Sequence, residues 1–377
     1  MIRVMNVISD TNIGGAGRVL INYLKYWDRE HFDVSVALPR GSKLKEPLET
    51  LGGRVYEVDG MADKSLDFGA IKKLRALIRK VDPDIVHTHG SMSGRIAGRQ
   101  EGKVVIYTRH SVFPTKGYLK SFPGKQLNGF LNHHYADQIV AVSPAAVDNL
   151  TEAGIDPKRV KVLMNGVEPV ERRGEAELAP LREKYGLGSD DFVLGILARI
   201  EDYKGHNDIL DALKLLREKG KKPKLLIAGT GNYEEQVKAH CKELGLENQV
   251  VFLGFVSDVA PILSLLDVQL NASWGTEATS LALLEGFSMG LPAVVSDYGG
   301  NPWLMEDGVN GYTFPTRDAG ALARCLETVM DRPDRGKALG EGAKKIYEEK
   351  FTARQFAKNT EEIYQKAWEE KKHGKGN

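Results

Sequence analysis

Short apolar runs alternate with amphipathic stretches along the first 165 residues of the chain. The run Ile2–Ile8 predicts a strand, and Val19, Leu20, Tyr23 and Leu24 follow it with helical spacing. Further short β-branched runs predict strands at 34–38, 55–58, 85–87, 104–107 and 139–142, and an amphipathic stretch predicts a helix over 68–81. Strands that alternate with helices indicate a doubly wound parallel sheet.

The alternation is interrupted over residues 168–190, a polar segment with two prolines that we predict to be a linker. A second series then predicts strands at 192–197, 225–228, 250–253, 268–271 and 293–296, and helices at 204–219, 231–245, 277–289 and 318–330. The pattern therefore predicts an α/β protein with two Rossmann-like domains, residues 1–167 and 191–351, which face each other across a cleft. A charged helix is predicted at 352–372.

Composition places the chain among globular proteins of the cytoplasm. It has 377 residues, 42% of them hydrophobic, and no apolar run approaches the roughly 18 residues that span a bilayer. The first ten residues lack the apolar region of a signal peptide, and two cysteines do not indicate a disulfide framework. Residues 1–165 carry 24 basic and 17 acidic side chains, against 28 and 34 in the remainder. This asymmetry indicates either an anionic partner of the first half or ordinary surface scatter.

A glycine-rich loop follows the first strand. Gly14 and Gly15 precede a predicted helix, where backbone N–H groups and the helix dipole favour a phosphate. A dinucleotide site would need G-x-G-x-x-G and an acidic residue closing the second strand, whereas this strand ends at Pro39 and Arg40. The loop therefore argues against an oxidoreductase, and a plain tight turn is the alternative.

Two cations follow the first strand of the second series. Arg199 and Lys204 lie five residues apart in one loop, where they would repel each other unless an anion lay between them. A diphosphate suits this position, and two solvated loop charges are the alternative.

Glu277 and Glu285 are separated by seven residues in a predicted helix. Eight residues of helix rise about 12 Å, roughly the span from a donor sugar to its ribose. The amides of Ser280 and Leu281 would lie in the first turn, where backbone N–H groups lack partners. The alternatives are a helix-start acid at Glu277 and a salt bridge at the edge of the core at Glu285.

These motifs occur in order with several others along the chain, namely Thr108-Arg-His110-Ser, Val142-Ser143, Asn165-Gly166, Gly229-x-Gly231, Phe252-Leu-Gly254, Gly290-x-Pro292 and Gly299-Gly300. Together they resemble glycosyltransferase family 4, the retaining enzymes of GT-B fold, over essentially the whole chain. The pair of glutamates is the most specific of the motifs.

The resemblance implies a nucleoside-diphosphate sugar as donor, a UDP-sugar by preference, and a role for each matching residue. The implied diphosphate contacts are Gly14, Gly15, Arg199, Lys204, Ser280 and Leu281, and the implied ribose and nucleoside contacts are Glu285, Gly229, Phe255 and Val256. His110 and Glu277 would contact the donor sugar as catalytic residues, and the C-terminal helix would return to the first domain. Trp303 stands where the family usually has an acid, and Gly17 where many members have glutamate.

We expect transfer without a metal or other cofactor, because the chain itself supplies cations for the leaving diphosphate. Asp82-Pro83-Asp84 mimics a metal-binding D-x-D, but it precedes a strand and is interpreted as a helix end. His87 and His89 have no third ligand at zinc spacing and are assigned a structural or cleft-lining role. A sugar-nucleotide epimerase and a non-catalytic nucleotide-sugar-binding protein are the alternative functions.

Residues 112–135 contain Lys116, Lys120 and Lys125 among aromatic and aliphatic side chains such as Phe122, without an acid. Such a segment suits the anionic inner face of a membrane, and hence an envelope glycan or lipid-linked acceptor. The alternatives are a flexible loop with a partly buried helix, and a small soluble acceptor. No partner among nucleic acids is expected.

Overall fold

The computed structural model describes residues 1–373, which divide into two compact units. The first unit contains residues 1–167 together with the chain from Ala353 onward, and the second contains Glu168–Thr352. Each unit has one fully parallel sheet with helices between its strands. The prediction of two doubly wound sheets is therefore confirmed.

Seven strands form the sheet of the first unit, in the order β3-β2-β1-β4-β5-β6-β7. They are β1 (Ile2–Ile8), β2 (Phe32–Pro39), β3 (Arg54–Val58), β4 (Ile85–His89), β5 (Val104–Arg109), β6 (Gln138–Ala141) and β7 (Val160–Val162). The helices between them are α1 (Gly15–Tyr26), α2 (Lys45–Thr50), α3 (Phe68–Val81), α4 (Met92–Gln100), α5 (Gly124–His134) and α6 (Pro144–Glu152). The strand order reverses between β1 and β4, and ligands of such sheets bind beyond the carboxyl ends of the strands at that point.

Six strands form the sheet of the second unit, in the order β10-β9-β8-β11-β12-β13. They are β8 (Val193–Leu197), β9 (Lys224–Ala228), β10 (Val250–Gly254), β11 (Val268–Asn271), β12 (Ala293–Ser296) and β13 (Gly311–Phe314). The helices are α7 (Glu175–Tyr185), α8 (His206–Glu218), α9 (Glu234–Glu243), α10 (Ala260–Leu265), α11 (Leu281–Ser288), α12 (Ala319–Met330) and α13 (Lys337–Lys350). Here the reversal lies between β8 and β11.

Local sequence explains where α3 begins and ends. The Asp67 carboxylate caps the helix by accepting a hydrogen bond from the Ala70 amide at 2.9 Å. The helix ends at Asp82, whose φ of 50° is the left-handed conformation of a helix C-cap. Its apolar positions Ala70, Leu74 and Ile78 are fully buried against the sheet.

The predicted linker differs from the structure. Residues 175–185 form α7, and Leu178 packs into the apolar cluster of the second unit. The helix has few apolar residues, which is why its periodicity does not reveal it. Its charges do, since Glu175 and Glu177 lie in the first turn, and Arg182 and Lys184 in the last.

The last helix, α14 (Ala353–His373), packs on α1 in the first unit. Tyr364 is its most deeply buried large side chain, with its ring edge-on to Tyr23 and tilted against Phe32. Helix α14 therefore completes the core of the unit that the N-terminal residues begin.

Candidate active site

The loop after β1 leaves the start of α1 open. Gly14 is the N-cap and has no side chain to cap the helix, and both Gly14 and Gly15 are exposed. A Cβ added to Gly15 would meet nothing within 4 Å. The first-turn N–H groups are therefore accessible to an anion. By contrast, a Cβ on buried Gly17 would lie 2.6 Å from the buried Leu44 side chain, which explains why no glutamate stands there.

Polar side chains form a connected row where β1, β4 and β5 end. Asn6 Oδ1 lies 3.0 Å from His89 Nε2, and His89 Nδ1 lies 2.8 Å from His110 Nε2. The rings of His89 and His110 stack with centroids 5.0 Å apart. Parallel pairing places Ile8 opposite His89 and His89 opposite Thr108, so the sheet register brings the row together.

A second row lies beside the first. His87 Nδ1 is 2.7 Å from the Tyr364 hydroxyl of α14, and His87 Nε2 is 2.7 Å from Thr108 Oγ1. His87 thus has the structural role that its sequence context favours. The cavity among these side chains measures about 20 Å³. This is room for about one water molecule, and His110 is the half-buried member of the row.

All three histidines are neutral at physiological pH. Burial lowers the pKa of His110 to about 4 and that of His87 to about 3, and it holds the pKa of His89 well below its usual value. The cause is the cost of placing a charged imidazole in a dry environment. Each ring therefore has one nitrogen that donates a hydrogen bond and one that accepts.

In the second unit, Glu277 is held where β11 ends. Its Oε2 atom accepts hydrogen bonds from Lys204 Nζ at 2.9 Å, Asn271 Nδ2 at 3.0 Å and Ser273 Oγ at 3.2 Å. Lys204 also donates to the Thr276 carbonyl at 3.1 Å. The ion pair is nearly buried, with 13% of the lysine and 9% of the glutamate side chain exposed. A buried ion pair is firmly positioned only with such additional hydrogen bonds.

Asn271 and Ser273, which both hold the Glu277 carboxylate, are not among the residues that the sequence motifs single out. The sequence does contain a signal for Asn271, because this polar residue closes a strand whose other residues are buried. In the first unit, Asn6 of β1 carries the same signal, whereas Tyr364 lies on helix α14 and has no such signal. A polar residue at the buried end of a central strand usually has a hydrogen-bonding partner.

Arg199 and Lys204 do not share surroundings. Arg199 is exposed, and its Nη2 lies 3.2 Å from the Tyr203 hydroxyl, whereas Lys204 is bound to Glu277. Gly205 follows with φ of 71°, and a Cβ there would lie 2.1 Å from the Ala272 carbonyl. Only glycine allows α8 to begin this close to the end of β11.

The helix predicted over 277–289 is shorter in the structure and begins at Leu281. Ser280 is its N-cap and accepts a hydrogen bond from the Leu283 amide at 3.4 Å. The predicted 12 Å helical rise from Glu277 to Glu285 is therefore wrong, because residues 277–280 form a loop. Glu285 is half-buried in the second turn of α11.

The loop at Glu277 packs on Gly299 and Gly300. The Gly300 amide donates to the Glu277 carbonyl at 2.9 Å, and a Cβ on Gly300 would lie 1.7 Å from the Ala278 carbonyl. The hydrogen bond from Gly300 occupies the Glu277 carbonyl, which in a helix starting at Glu277 would accept from the amide of Leu281. Trp303, in the turn that follows, has 56% of its surface exposed.

The remaining predicted contacts lie where β9 and β10 end. The Gly229 amide donates to the Gly254 carbonyl at 2.8 Å, which holds the two strand ends together. Phe255 comes next with 75% of its surface exposed, and Val256 is half-buried against the core. An exposed aromatic ring at a strand end offers a face on which a base could stack.

Residues 112–135 form a short turn and α5. Phe113, Tyr118, Phe122, Leu127 and Phe130 are all at least half exposed. Lys120 is paired with Glu152 of α6 at 2.5 Å, so the acid-free segment gains an acid from a neighbouring helix. We call these exposed side chains, with Lys116, Lys120 and Lys125, the α5 surface.

Asp82 and Asp84 form ion pairs at the amino ends of β1 and β4, at the opposite ends of the strands from the histidines. Both carboxylates pair with Arg3, and Asp82 also pairs with Lys103. Over residues 1–373, no group of three or more His, Cys, Asp or Glu side chains is arranged to hold a metal ion. Within the same range, no helix combines the length and the apolar character that crossing a membrane requires.

Comparison with known proteins decides the family. Residues 179–346 match the family described as Glycosyl transferases group 1, and residues 13–171 match Glycosyltransferase Family 4. The chain belongs to glycosyltransferase family 4. It is a glycosyltransferase of the GT-B type that acts on nucleotide sugars, as the sequence motifs indicate.

The relatives of this glycosyltransferase include bacterial proteins. EpsD of Bacillus subtilis is 29% identical over 73% of the chain and 74% of its own length. An Escherichia coli UDP-Gal:alpha-D-GlcNAc-diphosphoundecaprenol alpha-1,3-galactosyltransferase is 26% identical over 85% of each protein. The structure of Anabaena HepE in complex with UDP aligns over 97% of the chain and 100% of HepE, with a TM-score of 0.82 and 21% identity.

Proposed function

We propose that this glycosyltransferase moves a sugar from a UDP-sugar to an envelope glycan or lipid-linked acceptor and retains the anomeric configuration. The observation that carries the proposal is the buried Glu277 carboxylate, fixed by Lys204, Asn271 and Ser273 at the end of β11. A carboxylate oriented through one oxygen can offer the other to sugar hydroxyls. This is the kind of rigid contact that positions a substrate for reaction.

The leaving diphosphate would be stabilised by protein cations and amides. Arg199 supplies an exposed guanidinium, Lys204 an ammonium, and the start of α11 at Ser280 and Leu281 supplies backbone N–H groups. Such donors, fixed before the reaction, stabilise charge that develops as the bond to the leaving group breaks. We therefore propose that transfer needs no divalent ion. Full activity in EDTA is expected, and activity that is lost in EDTA and restored by magnesium or manganese would contradict this.

UDP is favoured by two comparisons. The E. coli relative is named for UDP-Gal, and HepE was solved with UDP. The same relative is named for a diphosphoundecaprenol acceptor, which supports a lipid-linked acceptor here.

The test of the donor is a thermal-shift screen of UDP-, GDP- and ADP-sugars, followed by NMR of the product. A UDP-sugar at about 100 times its Kd should add about 2.7 kcal/mol of stability. The anomeric signal of the product should keep the donor configuration. Stabilisation by GDP- or ADP-sugars alone would refute the choice of UDP, and an inverted product would refute retention.

We propose further that the α5 surface rests on an anionic membrane. Leu127, Phe130 and His134 are spaced three and four apart on α5 and form an exposed stripe, and Phe122 and Lys116 are exposed in the segment that precedes the helix. Aromatic side chains with lysines beside them suit the boundary between headgroups and acyl chains. Each lysine near an anionic bilayer contributes about 1 kcal/mol, and the Glu152 partner reduces the contribution of Lys120.

Co-sedimentation with anionic phospholipid vesicles at low salt tests the surface. Changing Lys116, Lys120 and Lys125 to Glu should weaken binding by about 100-fold or more, because three attractions become repulsions. The exposed lysines Lys214, Lys222 and Lys344, changed to Glu, alter the net charge equally in the second unit and should leave binding intact. A wild-type protein that stays in the supernatant would refute the membrane contact and favour a soluble acceptor.

A further inference from the structure

The hydrogen bonds of the row Asn6–His89–His110 all run in one direction. The position of the proton on each ring follows from the oxygen atom of Asn6 at one end. Asn6 Oδ1 cannot donate, so the His89 nitrogen 3.0 Å away, Nε2, must carry the proton. His89 is neutral, so its Nδ1 is a bare acceptor. It can therefore pair with His110 only if His110 Nε2 donates across the 2.8 Å contact.

The orientation of the Asn6 amide sets this direction, since a reversed amide would donate to His89 and invert every bond in the row. Asn6 Nδ2 is buried and makes no hydrogen bond of ordinary length within residues 1–373. Burial and the charge of Glu361 raise the pKa of Tyr364, and the Asn6 side chain acts in the opposite sense. This is the effect of an amide N–H turned towards the phenol, with the carbonyl left to face His89.

We propose that Asn6 and His89 are positioning residues that hold His110 with its proton on Nε2, so that Nδ1 accepts a hydrogen bond from a hydroxyl of the donor sugar. Because His89 occupies Nε2, Nδ1 is the ring nitrogen left for a ligand. The inference rests on the proposed function and on the contact with the donor sugar that the family resemblance implies for His110. It adds that His110 Nδ1 accepts the hydrogen bond. The site should therefore bind a sugar with a hydroxyl at this position and discriminate against one whose group there cannot donate.

Nuclear magnetic resonance of protein labelled with ¹⁵N-histidine tests the row directly. Two-bond ¹H–¹⁵N correlations distinguish the two neutral tautomers, and the His110→Gln variant assigns the His110 signals. We expect the Nε2–H form in the wild type at pH 7.5. In His89→Phe, which keeps a ring but removes its nitrogens, His110 should populate both forms, and kcat should fall about tenfold for one lost orienting hydrogen bond.

The matched control is His87→Phe. The His87 ring lies tilted against His89, with centroids 4.4 Å apart, but it bonds to Tyr364 and Thr108, outside the row. The His87→Phe variant should disturb packing as much as His89→Phe does and leave the His110 tautomer unchanged. Urea denaturation of both variants shows whether they are equally folded, and Asn6→Leu provides a second disruption of the row.

The outcomes separate the inference from the proposed function. An Nδ1–H form of His110 in the wild type overturns the positioning, as does a tautomer that changes in neither His89→Phe nor Asn6→Leu. Either result leaves the donor contact standing if His110→Gln lowers turnover. Wild-type turnover in His110→Gln overturns the donor contact, and with it the purpose of the row.

Discussion

Arg199 and Lys204 follow the same strand but differ in what surrounds them. Arg199 is exposed and contacts only the Tyr203 hydroxyl among the described hydrogen bonds, whereas Lys204 is nearly buried against Glu277. The two cations can therefore serve the same anion in catalysis and yet contribute very differently to stability. Variants of each should separate these contributions.

Arg199→Ala and Lys204→Ala should each lower kcat by roughly 100-fold, the usual effect of removing a group that stabilises developing charge. Lys204→Ala should also lower the free energy of unfolding by about 3 kcal/mol, because it leaves the Glu277 charge buried without its cation. Arg199→Ala should change that free energy by less than about 0.5 kcal/mol, as exposed sites usually do. Steady-state kinetics and urea denaturation measure the two effects.

Lys214→Ala is the control for both variants, since Lys214 is exposed on α8 and makes no predicted contact with the donor. Equal stability of the Lys204 and Arg199 variants would show that the buried ion pair is weaker than its geometry indicates. Wild-type turnover in both would remove the diphosphate site.

Helix α14 is hydrogen-bonded to the candidate site through Tyr364. Tyr364→Phe should lower the free energy of unfolding by about 1–2 kcal/mol, because it leaves His87 Nδ1 buried without the hydroxyl 2.7 Å away. The ring contacts with Tyr23 and Phe32 stay in place. Urea denaturation measures the loss, and Tyr118→Phe, at an exposed position, should be neutral. Equal stability of the two variants would show that the His87 contact contributes nothing.

The elements that the sequence predicted well are those whose apolar pattern is strong. Helix α3 has the predicted bounds, and β11 and β12 match their predicted ranges. The pattern failed where tertiary contacts decide, as at Glu277, where Gly299 and Gly300 pack on the backbone. Ser280 could have indicated the true start of α11, since serine is a preferred N-cap.

The geometry of the candidate site could not be predicted from the motifs. They single out Glu277 and Lys204 as candidates, but no spacing in the sequence indicates that their side chains lie 2.9 Å apart. The same holds for Asn6, His89 and His110, which meet only because β1, β4 and β5 are neighbours in the sheet. Contacts between distant positions depend on strand order and register, which a single sequence does not specify.

The molecule as a whole should lose stability in mild acid, and the first unit should lose more than the second. A histidine whose folded-state pKa lies below about 6.5 binds a proton more readily when unfolded, so its contribution is full above pH 6.5 and falls below it. The window runs down to about pH 4 for His110 and to about pH 3 for His87. The first unit has these two and His89, and the second has His206, with a pKa of about 4.

We expect a loss of up to about 1.4 kcal/mol per pH unit for each such histidine, and thus a steeper loss in the first unit. Urea denaturation at pH 7.5 and 5.5, followed by tryptophan fluorescence, measures it. Changing Trp274 and Trp303 to Phe leaves probes in the first unit, and changing Trp27 and Trp368 to Phe leaves probes in the second. Equal losses in the two units would contradict the expectation.

The return of α14 to the first unit has a consequence for biosynthesis. His87 is synthesised long before its partner Tyr364, and the whole second unit is translated between Val167 and α14. At about 5–20 residues per second, that interval lasts roughly 10–40 s. During it the nascent first unit exposes the apolar surface that α14 will cover, including Tyr23 and Phe32. The first unit therefore cannot complete its core until the second unit has been synthesised, although most of its residues are translated first.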